Sequence, residues 1–598
     1  MVLSAPEKSA SPFVMKPSDR FATEPRETVS REDRVIDRAT ALASARRQLD
    51  PVDHPPTRDL DHALSPEFCL ENLVLPWDKV GSATLVATAH RDFPGQLRHV
   101  VEDAIGPIVF AYLPEAELQN AISDVFGEDL VEHAESRVDK DLSCRDINKM
   151  TLRRAIAASL FFGVSLALIF LFPRAFFIGI TTVAITNVVA CSLFKVVMLF
   201  VGYRKPIKNP QAIPLDEHPV VSIMVPMYRE ERIANELIAR LNRLTYPKAL
   251  MDVVLIVEKF DKHTKRMIED QSLPSWMRMI EVPDGRIRTK PRALNYAFKF
   301  TRGDIVGILD AEDAPATDQI ERVVEAFHAA PKEVACVQGI LDFYNTRSNW
   351  IARCFTIEYA TWFRVILAGA ARIGLQIPLG GTTVYLRRHA LQEVGAWDAH
   401  NVTEDADLGV RLARFGYQTI LLPTVTREEA NNRMIPWIKQ RSRWLKGYMI
   451  TYIVHMRRPF RHWREVGTKK FVGFQLFFLT SILQFTLAPA LWSFWLVFFG
   501  LSTPFMDVFP SDWMKGLLAL FLMTELISLM IGFAAVARTQ HEKLMQWVPM
   551  MMFYHPMGVF AAYKALAELV MNPFYWDKTK HGMSSPDTPG GDIHSSVN

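Results

Sequence analysis

Three short clusters in the 598-residue chain carry side chains whose types and spacing could do chemistry. At Asp310-Ala311-Glu312-Asp313 an apolar, strand-like run, DIVGILD, ends in carboxylates, and residues 310 and 312 share a face if extended geometry persists. Converging acids repel unless a hard divalent cation lies between them, so Mg²⁺ or Mn²⁺ bridged to substrate phosphates suits Asp310, Glu312 and Asp313 as ligands. A plain acidic turn is the alternative. In NVTEDADLGVRLARFG, Thr403 reads as a helix N-cap, with Glu404 and Asp405 in the first turn, Leu408 and Leu412 on the apolar face, and Gly416 beyond the end. Acids in a first turn suit the helix dipole by themselves, and the company of a metal cluster makes Asp405 a candidate general base. In PWIKQRSRWLKG, Gln440, Arg443 and Trp444 stand at i, i+3 and i+4, so a donor, a cation and an aromatic ring share a helix face. That face has the chemistry to hold a diphosphate and stack on a sugar.

Weaker candidates lie nearby. Thr289-Lys290-Pro291-Arg292 reads as a helix start with Pro291 at the first helical position, and cations there oppose the dipole unless an anion such as a diphosphate is bound. Tyr228, after the strand-like VVSIMVP, has the shape to stack on a base or simply to pack. Glu258, ending DVVLIV, could accept hydrogen bonds from a base or ribose, or be an ordinary exposed acid.

What must position these residues is an alternation. Strand-length apolar runs at 220–226, 252–257, 277–282, 304–310 and 334–340 alternate with helix-period segments such as EERIANELIARLNRL. A mostly parallel sheet with crossover helices follows, an α/β Rossmann-like arrangement whose ligands sit at the carboxyl ends of strands.

Around this centre the texture differs. Length over roughly 150 residues per domain gives about four units. Residues 1–64 hold seven prolines among many charges and no signal-peptide core, and read as a disordered cytoplasmic tail. Residues 65–145 read as a small α+β module. Two apolar runs in 151–203 are each long enough to cross a bilayer, and Lys195 is the charge they contain. Arg153 and Arg154 before them and Arg204, Lys205 and Lys208 after them place the segment from Lys205 to about Lys470, with the α/β domain at 204–434, in the cytoplasm by the positive-inside rule. Residues 435–470 read as amphipathic interface helices, with Arg457, Arg458, Arg461, Arg464 and Trp463 among anionic headgroups. Residues 471–571 read as three or four further spans or re-entrant helices, five or six spans in all, and 572–598 as a C-terminal tail. Lys and Arg total 68 against 65 Asp and Glu, so overall charge gives no reason to expect a nucleic-acid partner. Five scattered cysteines form no CxxC pair and indicate neither a zinc site nor a disulfide framework.

Taken in order, PMYREE, TKPRALNYA, DAED, GGTTVYLRR, VTEDADLG and QRSRW resemble the membrane-embedded family 2 glycosyltransferases with a GT-A catalytic domain, the group of cellulose and hyaluronan synthases. The likeness covers about 219–445, with support from MNPFYWDKTKHG near the end. It implies a GT-A domain inserted between transmembrane helices and an inverting, processive transfer from a UDP-sugar, UDP-glucose favoured, to a growing β-glycan, with export across a bacterial inner membrane. Single-sugar transfer to a lipid carrier is the second reading, and a noncatalytic envelope scaffold a third. By the resemblance, Asp310 with Glu312 and Asp313 matches the metal-binding DxD, and Glu404–Asp405 the motif of the base. Gln440, Arg443 and Trp444 match QxxRW. Tyr228, Glu258 and Lys290 fall on the donor side; Gly380, Gly381 and Thr382, with Trp444, fall on the acceptor side. Two departures are Glu for the second Asp of DxD and Glu258 for an Asp. The module at 65–145 resembles the N-terminal domain of type II secretion ATPases, which names cyclic di-GMP as a candidate ligand; periplasmic export proteins are further candidate partners.

Overall fold

The computed structural model describes residues 63–202, 213–229, 234–492 and 511–575, with scattered positions between 49 and 60. The proline-rich tail, the flanking Arg204, Lys205 and Lys208, the acids of PMYREE, residues 493–510 and the tail after 575 lie outside the described residues. By contacts the chain divides into two units, Met1–Val125 and Phe126–Asn598.

The first unit is a three-stranded sheet in the order β1 (Val74–Val80), β2 (Ala83–Thr88), β3 (Ile108–Tyr112), with β2 antiparallel to β1 and parallel to β3. Helix α1 (Pro66–Asn72) starts at Ser65, whose hydroxyl accepts from Phe68 N–H, and α2 (Gly95–Ile105) makes the β2–β3 crossover. Helix α3 (Glu115–Ser136) has a break in helical geometry at Phe126, where the unit boundary falls.

The second unit is built on an eight-stranded sheet. Its strands are β4 (Val221–Met227), β5 (Met251–Glu258), β6 (Met277–Val282), β7 (Ile305–Ile308), β8 (Ala314–Pro315), β9 (Val334–Phe343), β10 (Val384–Arg387) and β11 (Gln418–Glu428), in the order β6-β5-β4-β7-β10-β9-β11-β8. The four strands β6, β5, β4 and β7 are parallel, as the alternation predicts. The pattern did not predict β10, which runs antiparallel between β7 and β9, nor β11, parallel to β9. β5 and β9 are buried at every position, which explains their continuous apolar runs.

Apolar helices flank this sheet in sequence. Helices α4 (Leu152–Leu171), α5 (Pro173–Gly202) and, later, α11 (Ser511–Val536) are long and apolar enough to cross a membrane, with mean hydropathy of 2.1–2.2. α4 buries no residue, so most of its apolar surface is exposed. α5 docks on the catalytic unit at Gly369, where an added Cβ would stand 2.5 Å from the Met198 carbonyl oxygen. The other two apolar blocks are broken. The third carries a π-helical turn, Gln475–Leu479, and in the fifth Pro549 and Pro556 split the chain into short pieces ending in α12 (Met557–Met571). Among the described residues, therefore, three helices meet the length of a single span.

The elements between these position the site: α6 (Lys290–Phe298), α7 (Trp350–Thr361), α8 (Glu404–Arg414), α9 (Met434–His455) and α10 (Pro459–Phe474). α12 lays Ala561, Ala562 and Ala565, all fully buried, against Leu445 and Met449 of α9. Small side chains allow that close approach. Gly447 of α9 meets α8: an added Cβ would stand 2.1 Å from Thr403 Oγ1. Gly447→Ala should therefore cost about 1–3 kcal/mol and displace the start of α8. The check is thermal unfolding alongside turnover, and a variant matching wild type in both would refute this packing.

Candidate active site

At the end of β7, Asp310 Oδ1 accepts from Lys290 Nζ at 2.5 Å, and Lys290 Nζ also donates to the Gly381 carbonyl at 3.3 Å. Lys290 is the first residue of α6, and Thr289 caps it by accepting from Arg292 N–H. Burial works against the ammonium charge, yet Asp310, Glu404 and Asp405 hold its pKa above the usual lysine value. One side chain thus joins the acidic turn, the glycine loop and the start of α8.

Asp313 differs from its predicted role. It is wholly buried, and its Oδ2 accepts from Asp310 N–H at 2.8 Å and from the Thr382 hydroxyl. It therefore braces the turn from behind. Burial, then Asp310 and Glu312, push its carboxyl well above the carboxylate range. Glu428 at the end of β11 joins this group; burial followed by Asp313, Glu312 and Asp310 raises it too, and its Oε1 has no hydrogen-bond partner. This surplus of carboxylate oxygens, one of them buried on Asp313 without a partner, fits a hard divalent cation. Among the described residues no three such groups stand close enough to hold a metal unaided. Asp310 and Glu312 would therefore share it with a diphosphate and water, in the manner of Mg²⁺ sites.

The basic turn is also redistributed. Arg292, predicted to face an anion beside Lys290, is fully buried, donating to Glu258 Oε2 at 2.5 Å and to the Pro283 carbonyl at 2.9 Å. Glu258 is raised by burial against that pairing, and any contact with a nucleoside falls to its other oxygen. Tyr228 is half-buried, edge-on to Phe260 at 5.9 Å, with Arg229 over its ring.

The loop 380–382 lies against the proposed base. Gly381 has φ +82°, and a Cβ there would stand 2.7 Å from Asp405 Oδ2, so only glycine meets both conditions. Gly380 N–H donates to Gln338, and Thr382 holds Asp313. Thr403 stands before α8 as predicted but makes no capping bond; its hydroxyl is buried without a partner, turned to Gly447. Leu408 and Leu412 are buried, and Gly416 at φ +92° follows the end of α8. Asp405 Oδ1 accepts from Ala406 N–H at 2.8 Å. Burial raises Asp405 and pushes Glu404 up to about 7, with the charge of Asp405 as the next cause.

On α9, Arg443 lies within electrostatic reach of Glu404, Asp405 and Asp310, which offset the effect of burial on its guanidinium. Gln440 Oε1 accepts from Asn431. Trp444 has Phe355 and Tyr359 of α7 at 6.1 and 6.2 Å. Sequence reasoning missed Arg441, whose guanidinium stands over Trp437 and Trp444 at 5.0 and 4.7 Å and pairs with Glu358 at 2.5 Å. It also placed Arg457, Arg458 and Arg461 among lipid headgroups. Instead Arg457 donates to the Ser143 carbonyl at 2.9 Å, and Arg458 and Arg461 pair with Asp141 at 2.8 and 3.6 Å.

Asp405 and Trp444 line one end of a set of walls enclosing a cavity of about 290 Å³. That is near the lower limit of ligand pockets, roughly 300–1,000 Å³. Other walls come from α5, α7, α11, the two π-helical turns, Trp362–Leu367 and Gln475–Leu479, and the helix Thr480–Thr486 that follows. Lys195 of α5 and Glu525 of α11 line it, with Ser481, Gln484 and Ser528. Glu525, an acid inside an apolar run, was a legible signal that the sequence reading passed over.

Residues 218–447 match the sequence profile of the family described as glycosyltransferase like family 2. They are a family 2 glycosyltransferase domain. Its architecture is GT-A, and the chain carries a hexosyltransferase-type catalytic domain. The chain is 27% identical over 279 residues to the beta-monoglucosyldiacylglycerol synthase of Trichormus variabilis, covering 45% of this chain and 57% of that protein. It is 27% identical over 310 residues to the UDP-forming cellulose synthase 1 catalytic subunit of Komagataeibacter xylinus, covering 50% and 40%. A solved mannosyltransferase from Pyrobaculum calidifontis, in complex with GDP-Man and Mn²⁺, superposes with a TM-score of 0.44 at 18% identity, over 66% of this chain and 98% of that one. The chain spans 57–66% of the length of the first curated relatives it matches.

Glu404 ionises as pH rises through about 7, and its negative charge makes the neighbouring Asp405 carboxylate a stronger proton acceptor, so turnover by the glycosyltransferase domain should rise over that range. Glu404→Gln should flatten that rise between pH 6 and 8. Asp405→Asn should retain UDP binding and lose transfer by roughly 10²–10⁴-fold. Initial rates across pH and calorimetry with UDP check both, and an active Asp405→Asn would reassign the base.

Proposed function

We propose that the protein transfers a sugar from a UDP-sugar, UDP-glucose favoured, to a growing β-glycan with inversion, and that the glycan leaves through the membrane segment. The observation that carries this reading is one cavity shared by Asp405, Trp444 and the polar residues Lys195, Gln484 and Glu525 of the apolar blocks. Charges among apolar helices are costly unless something polar faces them, and sugar hydroxyls both donate and accept.

In this reading Asp405 takes the proton of the acceptor hydroxyl as its oxygen attacks the anomeric carbon. The new carbon–oxygen bond forms as the bond to the diphosphate breaks, and the electron pair leaves with UDP. Lys290 and Arg443 stabilise the charge that builds on the leaving group, and a bound Mg²⁺ or Mn²⁺ would supply further stabilisation there. Trp444 supports the acceptor ring and keeps water from the donor. Membrane insertion with the catalytic domain on the cytoplasmic side, export partners in the periplasm and cyclic di-GMP binding at 65–145 belong to the same proposal.

A second reading is transfer of one sugar to a lipid acceptor, favoured by the relative that is named a glucosyldiacylglycerol synthase. The two readings separate by product size. Full-length protein in nanodiscs, given a panel of UDP- and GDP-sugars with Mg²⁺ or Mn²⁺, should yield a product of many sugars. A lipid carrying one sugar would overturn the processive reading. The Lys195→Met, Glu525→Leu double variant should shorten the product at least fivefold while still adding a first sugar to a short soluble acceptor; unchanged length would remove the cavity from the product path.

A further inference from the structure

The catalytic unit contains, before its first span, a stretch that the transfer chemistry does not account for. Residues 126–136 are the second part of α3, and residues 137–147 follow as an irregular strap. This stretch is bonded to the loop that leads into Lys290, and it shares partners on α6 and the 396–400 loop. Glu135 Oε1 accepts from the Ile287 backbone N–H at 3.2 Å, three residues before Lys290. The Ala134 carbonyl accepts from Asn295 Nδ2 at 2.9 Å, and the same amide group bonds the Trp397 carbonyl at 2.7 Å. Asn295 is wholly buried, so these bonds fix α6 between the stretch and the 396–400 loop.

Two further contacts close the arrangement. At Gly285 an added Cβ would stand 2.4 Å from Arg292 Nη1, 2.5 Å from Glu135 Oε1 and 2.7 Å from Val131 Cγ1, so loop and helix meet there with no space for a side chain. Asp398 accepts from Ser143 Oγ at 3.0 Å and Cys144 N–H at 2.7 Å, and Thr289 Oγ1 donates to the Ala399 carbonyl at 2.7 Å. The loop 283–289, which sets where Lys290 begins, is thus held on one side by the Glu258–Arg292 pair and on the other by residues 131–135.

We propose that residues 126–147 are a positioning element of the donor site, with Glu135 the positioning residue that fixes the loop ahead of Lys290. This rests on the reading of Lys290 as a diphosphate contact. Lys290 is read as meeting the diphosphate both in the bound donor and as the leaving group, so a side chain that holds the loop ahead of it acts on donor affinity and on kcat/KM together. Gln can replace Glu135, because its amide oxygen still accepts from Ile287 N–H; Ala cannot.

The test uses full-length protein in nanodiscs, with hydrogen exchange at Ile287 and calorimetry with UDP plus Mn²⁺. Glu135→Ala should exchange the Ile287 amide at least tenfold faster, bind UDP five- to tenfold more weakly and lower kcat/KM by at least the same factor. Glu135→Gln should restore all three. Gly285→Ala, whose Cβ would collide with Glu135 and Arg292 from the loop side, should weaken UDP binding in the same way with residue 135 itself unchanged. Faster exchange with unchanged UDP affinity would overturn the proposal, as would Glu135→Gln behaving like Glu135→Ala. Wild-type protein that binds neither UDP nor GDP would overturn the donor-site reading itself, and this proposal with it.

Discussion

The acidic side of the cleft depends on the position of one ammonium group. Asp310, Glu404 and Asp405 all act on Lys290, and Asp313, Glu312 and Glu428 lie in the next layer. Like charges a few ångströms apart in a partly dry site repel by several kcal/mol at an effective dielectric of about 20. The fold meets this in two ways: Asp313 and Glu428 are pushed toward their neutral forms, and Lys290 is held by Asp310 and the Gly381 carbonyl. An arriving diphosphate adds charge of the same sign as the carboxylates, so the site has use for every cation near it, Arg443 included. That Arg292 is spent on Glu258 is consistent with this: a second mobile cation is exchanged for a rigid loop.

The chemistry and the membrane segment meet on one helix. α9 carries Arg441, Arg443 and Trp444 within about one turn, presents Gly447 to the start of α8, and packs Leu445 and Met449 against α12. Arg441 links these roles, because Glu358, which binds it, also accepts from the Tyr554 hydroxyl at 2.7 Å. The orientation of Trp444 is therefore tied to residues of the last apolar block.

What was legible in the sequence was what is local. Asp310 with Glu312, Glu404 with Asp405, and Gln440, Arg443 and Trp444 each sit within one turn or strand end, and their spacing already states which face they share. The parallel strands β4 to β7 were legible for the same reason. What was hidden depends on partners far away in the chain. Thr403 has the residue type of a cap, but Gly447 lies against it. Arg292 has the charge for a phosphate, but Glu258, thirty-four positions earlier, takes it. Arg457 and Arg458 look like headgroup contacts until the strap at 140–143 is placed beside them. β10 is only four residues long and antiparallel, so neither length nor alternation marked it.

The base is held at both ends of its first turns, and the second anchor follows from donor chemistry alone. Arg414 can only donate, and its Nη1 stands 2.9 Å from His455 Nδ1, so that nitrogen is the acceptor. The ring proton is then on Nε2, which donates to Asp407 Oδ1 at 3.0 Å. Burial lowers the pKa of His455, in keeping with this neutral tautomer. Asp407 Oδ2 accepts from Arg411 at 2.7 Å, so the buried acid is satisfied on both oxygens. Asp407 lies two residues beyond Asp405, so the face of α8 opposite the cavity is fixed to the last turn of α9. A movement of α9 would therefore move Trp444 and Asp405 together, keeping in register the ring proposed to support the acceptor and the carboxylate proposed to deprotonate it.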